Sequence, residues 1–387
     1  MQFLHSKNII YALAGLCCML VGVGIARFAY TPIMPLMIDH HWLNKLEAGY
    51  LGGINFLGYF LGAIFAKSCT HVLGERKAIQ CALISCVISL FLCGFPIGFY
   101  WLDFWRFLAG FGGALLMVTT SSLIFSNTPE KLKGITGGVI FTGIGLGIVL
   151  SGTVIPYTIK VGLSFTWFIL ALISLITGLF AWFNLPTSKD SAQVPHPKAL
   201  QNNRMNLPFF ILAGAYFLFG IGFTPHTLFL IEYIISNLHY STELAGFNWS
   251  LFGIGTVVGT LSSGLIADRV GVTKCLIAAY LIGVLAILLI ILPHNPVLIM
   301  LSSLLMGMLF LSIVSLSSAQ LSEMVPHQDY SLLWGIMTAF FAVSQTLSAY
   351  GMSYLIHKIP RGYDWSFLIS LTSLAIAAIM TTALIKR

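Results

Sequence analysis

Residues 186–206 read PTSKDSAQVPHPKALQNNRMN, which is the longest hydrophilic stretch of the sequence. Its prolines, amides and charged side chains, with little apolar content between them, are typical of a linker. Long apolar runs precede and follow it, so it separates two strongly hydrophobic parts of the chain. We therefore predict one helical bundle over residues 1–185, a linker over 186–206 and a second helical bundle over 207–387.

The composition of the chain indicates an integral membrane protein. The 387 residues are 58% hydrophobic and only 8% charged, whereas soluble domains carry about 25% charged residues. The formal net charge of +7 comes without a basic patch interleaved with aromatic residues, so we expect the lipid bilayer and not nucleic acid as a partner. The seven cysteines form no C-x-x-C pair, which argues against a metal site or a disulfide framework.

Apolar windows long enough to cross a membrane recur on both sides of the linker. A spanning helix needs about 20 such residues, and the run over 275–322 is long enough for two helices, with the turn between them at PHNP (293–296). None of the runs alternates between apolar and polar residues as a barrel strand does. We therefore predict an all-α protein with twelve transmembrane helices, six in each part. The other predicted windows are 8–26 (continuing past Arg27), 48–66, 78–102, 107–129, 134–159, 161–188, 205–231, 244–267, 330–357 and 365–385.

The distribution of basic residues predicts the orientation in the membrane. With the N-terminus inside, most of the 19 lysines and arginines fall in inner segments, while Lys45, Lys160, Lys358 and Arg361 fall in outer loops. Inner loops of membrane proteins carry an excess of positive charge. We therefore expect both termini and the linker to be cytoplasmic.

The two parts of the chain are related by an internal repeat. An offset of 197 residues, the separation of Gly49 and Gly246, places further glycines on glycines, and GVG at 22–24 matches GIG at 220–222 with a slip of one residue. We therefore predict two six-helix bundles in parallel repeat about a pseudo-twofold axis along the membrane normal. Small residues at these positions let helix backbones approach closely. The other matched pairs are Gly58 and Gly255, Gly62 and Gly259, Gly74 and Gly271, Lys77 and Lys274, Gly110 and Gly307, and Gly138 and Gly335.

Three segments resemble a known family of membrane proteins. GLIADRVG at 264–271, with Lys274 beyond it, closely resembles the loop 8–9 signature of the major facilitator superfamily, and the resemblance covers the whole chain. GVGIARFAYTPIMP at 22–35, together with RFLAG at 106–110, resembles the YbfB/YjiJ branch of its bacterial members. This resemblance implies the two-bundle transporter fold of that superfamily.

The resemblance also implies a conformational latch. In the superfamily the Asp and Arg of this loop hold the cytoplasmic helix ends together, which assigns that role to Asp268 and Arg269, with Gly271 after them. The counterpart loop, KSCTHVLGERK at 67–77, has a histidine and a valine at the Asp and Arg positions. The latch of the first half therefore departs from the family pattern.

The predicted fourth helix contains RFLAGFGGA at 106–114, which resembles the superfamily's R-x-x-x-G-x-x-x-A element. The arginine of that element is associated with proton coupling. Asp103 lies three residues before Arg106 on the same helix face, near enough to pair with it. The pair either changes its charge state during transport or is a static pair near the outer helix end, with Arg106 reaching towards the interface. GIGLGIVLSG at 143–152 resembles the antiporter glycine motif but lacks its proline, which argues against export.

Arg27 lies in an otherwise apolar or small run of the predicted first helix, a helix that lines the central cavity in proteins of this fold. Charge inside a bilayer is costly, so such residues face the bundle interior or a water-filled cavity. Arg27 therefore either binds an anionic group of a substrate or forms a structural ion pair with a neighbouring helix.

The predicted seventh helix carries GIGFTPHTLFLIEYI at 220–234. Pro225 removes a backbone hydrogen bond and is expected to kink the helix, and interrupted helices often lie at the binding site of transporters. His226 can titrate near neutral pH, and it either contacts the substrate or is a core histidine bonded to a backbone carbonyl. Glu232 either takes part in proton coupling or is an interfacial carboxylate exposed to water.

Uncharged polar and aromatic side chains complete the predicted site. Asn55 and Gln345 either hydrogen-bond a solute or join helices, and Tyr30 and Trp249 either line the cavity or pack in the core. The predicted substrate-binding residues are Arg27, Tyr30, Asn55, His226, Trp249 and Gln345, and the predicted proton-coupling residues are Asp103, Arg106 and Glu232.

These features predict a secondary transporter and not an enzyme. The sequence shows no Gly-rich phosphate loop, catalytic triad or metal-ligand cluster, so we expect no catalytic residue, no cofactor and no metal. We expect a small organic solute with a negative or polar group to cross the bacterial inner membrane by alternating access, coupled to protons, with one chain functional as a monomer. The alternatives are an exporter of amphipathic compounds or drugs and a transporter-like membrane receptor.

Overall fold

The structure, a computed structural model, describes residues 6–187, 206–292 and 295–385. Twelve helices run through these residues, as predicted, and eleven of them are long and apolar enough to cross a membrane. They are α1 Lys7–Asp39, α2 Lys45–Leu73, α3 Glu75–Leu92, α4 Phe99–Ser126, α5 Lys133–Thr158, α6 Leu163–Asn184, α7 Leu207–Ser236, α8 Thr242–Val270, α9 Val272–Ile291, α10 Pro296–Met324, α11 His327–Lys358 and α12 Gly362–Thr382. The remaining helix, α3, is shorter and begins with three charged residues.

The loop between α3 and α4 corrects the predicted windows 78–102 and 107–129. The first window merges this loop into a span, whereas α3 ends at Leu92 and α4 begins only at Phe99. No charged residue interrupts the loop, so hydropathy alone does not detect it. Gly98 has a φ of +137°, a backbone conformation that glycine adopts readily and that lets the chain turn into α4.

The predicted break within 275–322 is confirmed, because α9 ends at Ile291 and α10 begins at Pro296. Residues 293–294 of the predicted PHNP turn lie outside the described residues. Most of the predicted linker, 186–206, also lies outside them, so the bundle boundaries 1–185 and 207–387 remain predictions.

The first helix of each half leaves regular α-helical geometry in the middle of the bundle. In α1, a π-helical turn at Leu20–Ile25 is followed by the turn residues 26–29. In α7, a π-helical turn covers Pro225–Phe229, where the proline lacks the N–H that a regular helix needs. Arg27 matches Pro225 in the repeat, so the two breaks lie at equivalent depths. Single π-helical turns inside α-helices often lie at functional sites.

The internal repeat is confirmed by the packing of its glycines. Gly58 of α2 lies against the backbone carbonyl of Phe107 in α4, and Gly255 of α8 lies in the same way against that of Leu304 in α10. A side chain at either glycine would collide with backbone, so both halves use the same close helix contact. Two more pairs of contacts repeat in this way: Gly62 on Phe111 with Gly259 on Met308, and Gly110 on Asn55 with Gly307 on Phe252.

The outer surface of the bundle is apolar, as α6 illustrates. Leu172, Leu175, Ile176, Leu179 and Phe183 lie at helical spacing on one exposed face, and Phe183 is 73% exposed. A contiguous apolar face of this kind needs a covering surface. On a helix long enough to span the membrane, that surface is the lipid.

The two halves meet along three pairs of helices: α1 with α7, α2 with α11, and α5 with α8. Because the twelve helices run alternately up and down through the bundle, the start of α1 and the end of α12 lie on the same side; we call this the terminal side and the opposite one the far side. The hydrogen bonds and ion pairs found between the halves in the described residues lie in the middle or on the far side, so the halves are closed there. These contacts are Arg27–Gln345, Thr31–Thr227, Lys45–Glu232, Val149–Ser250, Ser151–Trp249 and Lys160–Glu243.

Gly259→Ala is expected to destabilise the bundle, because the new methyl group would meet the backbone of Met308 in α10. Overpacking of this kind costs about 1–3 kcal/mol. Gly264→Ala, on the same helix, has no atom within 4 Å of the new methyl group and is expected to be neutral or slightly stabilising. Thermal unfolding of the purified variants measures both effects, and equal unfolding midpoints would contradict the close contact between α8 and α10.

Candidate functional site

A small enclosed cavity lies where the breaks in α1 and α7 face each other. Its volume of about 10 Å³ is roughly the space that one water molecule needs. The two arginines inside the predicted spans, Arg27 and Arg106, both line it. The remaining lining residues are Phe28, Tyr30, Thr31, Gly52, Phe56, Thr227 and Leu228.

Arg27 lies between the two halves and is only 6% exposed. Its Nη2 donates a hydrogen bond of 2.7 Å to Oε1 of Gln345 in α11. The rings of Phe56 and Tyr59 lie with their centroids 4.7 Å from the guanidinium carbon, close enough for cation–π contacts. No carboxylate among the described residues forms an ion pair with Arg27, so the structural ion pair is not found. A buried cation without a counter-charge attracts an anion.

Arg106 is fully buried and holds the broken backbone of α1. Its Nη1 donates to the carbonyl of Ala26 at 2.6 Å and its Nη2 to that of Arg27 at 3.4 Å. These carbonyls belong to the turn that follows the π-helical segment, where the α-helical hydrogen-bond pattern is interrupted. The guanidinium also lies 4.6 Å from the centroid of the Tyr30 ring.

These contacts correct the predicted pair of Asp103 and Arg106. Asp103 is half-buried, and it forms no ion pair with Arg106 in the described part of the chain, because the guanidinium turns towards α1 instead. Arg106 also does not reach to the interface, since only 1% of it is exposed. Its charge is therefore met by backbone carbonyls and an aromatic face.

Neighbouring polar contacts fix the geometry around the two arginines. The Tyr30 hydroxyl donates to the Ala48 carbonyl at 2.6 Å, and Asn55 Nδ2 donates to the Arg106 carbonyl at 2.8 Å. Thr31 donates to the carbonyl of Thr227, inside the break of α7, at 2.5 Å. Backbone groups freed by the two breaks are thus bonded by side chains of other segments, as buried polar groups require.

Beside the cavity lies a group of six rings that we call the aromatic cluster. Phe28 packs on Phe310 at a centroid distance of 5.3 Å and lies 6.2 Å from Trp249. Trp249 stacks on Phe252 at 5.0 Å. The members of the cluster are Phe28, Phe223, His226, Trp249, Phe252 and Phe310.

His226 is completely buried, and its ring centroid lies 5.9 Å from that of Phe252. Neither ring nitrogen has a hydrogen-bond partner among the described residues. The structure therefore does not support the prediction of a core histidine bonded to a backbone carbonyl. A buried polar group without a partner needs an explanation, and a bound water or ligand is one of them.

Glu232 lies near the far side of α7 and is buried, with only 1% of its side chain exposed. This corrects the prediction of a carboxylate exposed to water. Its Oε1 lies 3.1 Å from Nζ of Lys45, whose side chain is 43% exposed and belongs to the other half. A second ion pair across the halves joins Lys160 and Glu243 at 3.2 Å, with both side chains exposed.

The predicted latch residues lie on the terminal side, at the end of α8. Asp268 and Arg269 are both exposed, and neither forms an ion pair within the part of the chain that the structure describes. Gly271 has a φ of +96°, and its repeat mate Gly74 has +78°. Both glycines end a helix in the left-handed region that favours glycine. The latch role of Asp268 and Arg269 stays a prediction.

The structure thus brings most of the predicted site together. Arg27, Tyr30 and Arg106 line the cavity, Gln345 and Asn55 bond to the arginines, and His226 and Trp249 belong to the aromatic cluster. Asp103 and Glu232 lie outside the cavity. The sequence analysis did not identify Lys45 as the partner of Glu232. It also did not identify Thr31, Phe56, Tyr59, Phe252 and Phe310. Phe252 and Phe310 can be found by comparing the two halves at the repeat offset, because the matching positions hold Asn55 and Gly113. No group of His, Cys, Asp and Glu residues suited to a metal ion occurs within 6–187, 206–292 and 295–385.

Comparisons with known proteins show that this chain is similar to transporters. The family model described as "Uncharacterised MFS-type transporter YbfB" matches residues 19–382. The sialic acid transporter NanX of Escherichia coli (strain K12) is 20% identical over 252 residues, which are 63% of this chain and 60% of that protein. A gentisate transporter of Corynebacterium glutamicum is 24% identical over 285 residues, which are 70% of this chain and 64% of that protein. The chain thus spans less than two thirds of the length of these two relatives.

A solved structure supports the fold. The crystal structure of a bacterial homolog of the human lysosomal transporter Spinster, in an inward-facing and occupied conformation, matches with a TM-score of 0.72. The match covers 98% of this chain and 96% of that one at 14% sequence identity. Likeness at this identity shows the fold alone.

Removing Lys45 is expected to destabilise the closed far side more than removing both partners of its ion pair. Lys45→Met leaves Glu232 buried without a counter-charge, whereas Lys45→Met with Glu232→Gln leaves no charge to satisfy. A double-mutant cycle on thermal unfolding should give a coupling energy of about 1 kcal/mol or more. The exposed pair Lys160 and Glu243 is the control and should give a smaller value, because water screens it. Equal coupling in the two cycles would show that the burial of Glu232 has no energetic effect.

Proposed function

Because the chain belongs to the family of the MFS-type transporter YbfB, we propose that it carries a small organic anion across the bacterial inner membrane. Transport proceeds by alternating access of the central cavity, and the driving force is the proton gradient. Transporters of this family are not enzymes, and the proposed substrate is carried unchanged.

The observation that supports an anionic substrate is the positive charge in the cavity. Arg27 and Arg106 line one enclosed space between the halves, and among the described residues neither is paired with a carboxylate. The guanidinium of Arg106 is occupied by the α1 backbone. The guanidinium of Arg27 contacts only Gln345 and aromatic faces among the described residues. It is therefore the group that can bind a carboxylate in a bidentate contact.

The named relatives agree with this class of substrate. NanX carries sialic acid and the other relative carries gentisate, and both compounds are carboxylic acids. Arg27, Tyr30, Asn55, His226, Trp249 and Gln345 are the proposed substrate-binding residues.

The closed far side supports an alternating-access cycle. If both termini are cytoplasmic, as the basic residues indicate, the far side faces outwards and this conformation is closed to the outside. Separation of the halves there breaks the contacts of Lys45 with Glu232 and of Thr31 with Thr227. Asp268, Arg269 and Gly271 are the proposed latch on the cytoplasmic side. One chain contains both halves of the cavity, so a monomer is the proposed functional unit.

Glu232 is the best-placed group for proton coupling. It is buried and paired with Lys45 across the halves, and opening of the far side would expose it to water and remove its counter-charge. A carboxylate that alternates between these two surroundings can take up a proton on one side and release it on the other. Asp103 and Arg106 are the further candidates, although Arg106 is also needed to hold the α1 backbone.

Arg27→Gln is expected to weaken anion binding by about 10- to 100-fold, because a charge-assisted hydrogen bond contributes about 1.5–3 kcal/mol. Ligand-induced thermal stabilisation of the purified protein by small carboxylates measures this, and counterflow in proteoliposomes measures transport of the compounds that bind. Lys131→Gln removes the same charge from an exposed position and should leave both unchanged. Equal responses of the wild type and Arg27→Gln would contradict the proposal. Dose-dependent resistance to amphipathic compounds upon overexpression would favour export, which the neighbouring aromatic cluster also permits.

Glu232→Gln is expected to abolish stimulation of uptake by a pH gradient while counterflow at equal pH is retained. The amide cannot carry a proton through the cycle, but it leaves the cavity residues in place. Glu243→Gln is the matched control, because Glu243 also pairs with a lysine of the other half but is exposed. Uptake by Glu232→Gln that still responds to the pH gradient would exclude Glu232 as the coupling group.

A further inference from the structure

At three positions that are equivalent in the repeat, the two halves have side chains of different size and polarity. At the offset of 197 residues, Gly52 corresponds to Trp249, Asn55 to Phe252 and Gly113 to Phe310. At these positions the first half therefore has small or polar residues, of which Gly52 lines the cavity, where the second half has large rings. All three rings are buried and belong to the aromatic cluster.

The charges have the opposite distribution. Arg27 corresponds to Pro225 when the one-residue slip of the first helices is included, and Arg106 corresponds to Ser303 at the offset of 197. Both cavity arginines therefore belong to the first half. A packing requirement common to both bundles would place similar residues at equivalent positions. A site for one molecule with a charged end and an apolar ring requires this unequal distribution.

The aromatic cluster crosses the boundary between the halves at one ring. Phe28 belongs to the first half and lies with its centroid 5.3 Å from the Arg27 guanidinium carbon. The other members come from α7, α8 and α10 of the second half, with Phe310 5.3 Å and Phe252 6.3 Å from Phe28. If Phe28 moves with the first half when the halves separate during transport, the faces of these rings become accessible next to Arg27.

The enclosed cavity in this conformation holds only about one water molecule. The rings of the two halves therefore pack on each other where a solute would lie. His226 lies in the same cluster with both ring nitrogens unpartnered and no exposed surface. A buried polar group without a partner beside the rings offers a second polar contact to a bound molecule.

We infer that the transported solute is a small aromatic carboxylate, whose carboxylate binds Arg27 of the first half and whose ring packs on Phe252 and Phe310 of the second half. This inference rests on the proposed function and adds to it the chemical class of the substrate. Rings stack in offset or edge-to-face geometry on aromatic side chains, which gives an aromatic ligand an advantage over an aliphatic one of the same size.

The test compares two carboxylates of equal charge and similar size, benzoate and cyclohexanecarboxylate. The full-length purified protein is titrated with each, and the dissociation constants are obtained from thermal stabilisation. Benzoate should bind about three- to tenfold more tightly, because aromatic contacts add this much beyond area burial. Cyclohexanecarboxylate is the more apolar of the two, so a purely hydrophobic pocket would show the opposite order.

Variants locate the preference in the cluster. Phe252→Leu should bring the ratio of the two dissociation constants close to one while binding still depends on Arg27. Phe209→Leu is the matched control, because Phe209 is also fully buried but lies at the start of α7, about 25 Å along the helix from His226 at 1.5 Å per residue. It should keep the preference for benzoate.

The outcomes separate this inference from the proposed function. Binding of both acids that is lost in Arg27→Gln, with no preference for benzoate, would overturn the aromatic class and leave anion transport standing. No binding that depends on Arg27 would overturn both. If Phe252→Leu does not fold, the ratio measured on the wild type, with Arg27→Gln as its partner, still decides between the outcomes.

Discussion

The architecture of the site depends on the cost of burying two guanidinium groups in a membrane without a carboxylate beside them. Such a charge is tolerated only when polar groups of the protein replace water. For Arg106 these groups are the carbonyls of Ala26 and Arg27, which are accessible because α1 interrupts its regular helix there. The break in α1 thus supplies the carbonyls that bond the buried Arg106. Together they set the position from which Arg27 reaches across to Gln345.

The sequence was sufficient to predict the fold because its strongest signals are local. Apolar length gave the number of helices, and the glycine offset gave the repeat that the contacts of Gly58 and Gly255 confirm. The loop at 93–98 was not predicted because it is as apolar as the helices on either side of it. The position of Arg27 at the cavity was predictable, since an intramembrane charge is costly and is expected to face the interior of the bundle. The partner of Arg106 was not, because helical spacing shows that Asp103 is within reach but not that the α1 backbone competes for the same guanidinium.

The same limit applies to contacts between the halves. Glu232 and Lys45 lie far apart in the sequence, and their ion pair arises only when the two bundles dock. A carboxylate in a spanning helix is expected to pair with a cation, but the sequence does not show which lysine of the far-side loops is within reach of Glu232. Part of the aromatic cluster was predicted from the sequence, because Trp249 was among the predicted substrate-binding residues. The concentration of its rings in the second half, with Phe28 as the one member from the first half, becomes clear only when equivalent positions of the repeat are compared.

The two far-side ion pairs have a consequence for the origin of the chain. In an assembly of two identical halves, every contact between them occurs twice, because the interface is the same for both copies. Here Lys45 and Lys160 come from the first half, and Glu232 and Glu243 come from the second. The repeat relates the two lysines to Thr242 and His357, Glu243 to Leu46, and Glu232, with the one-residue slip of the first helices, to Met34. These residues would form no such pairs. The halves therefore recognise each other in one direction only, as a heterodimer does, and the ancestral symmetry of a duplicated bundle has been replaced by complementarity between two specialised ones.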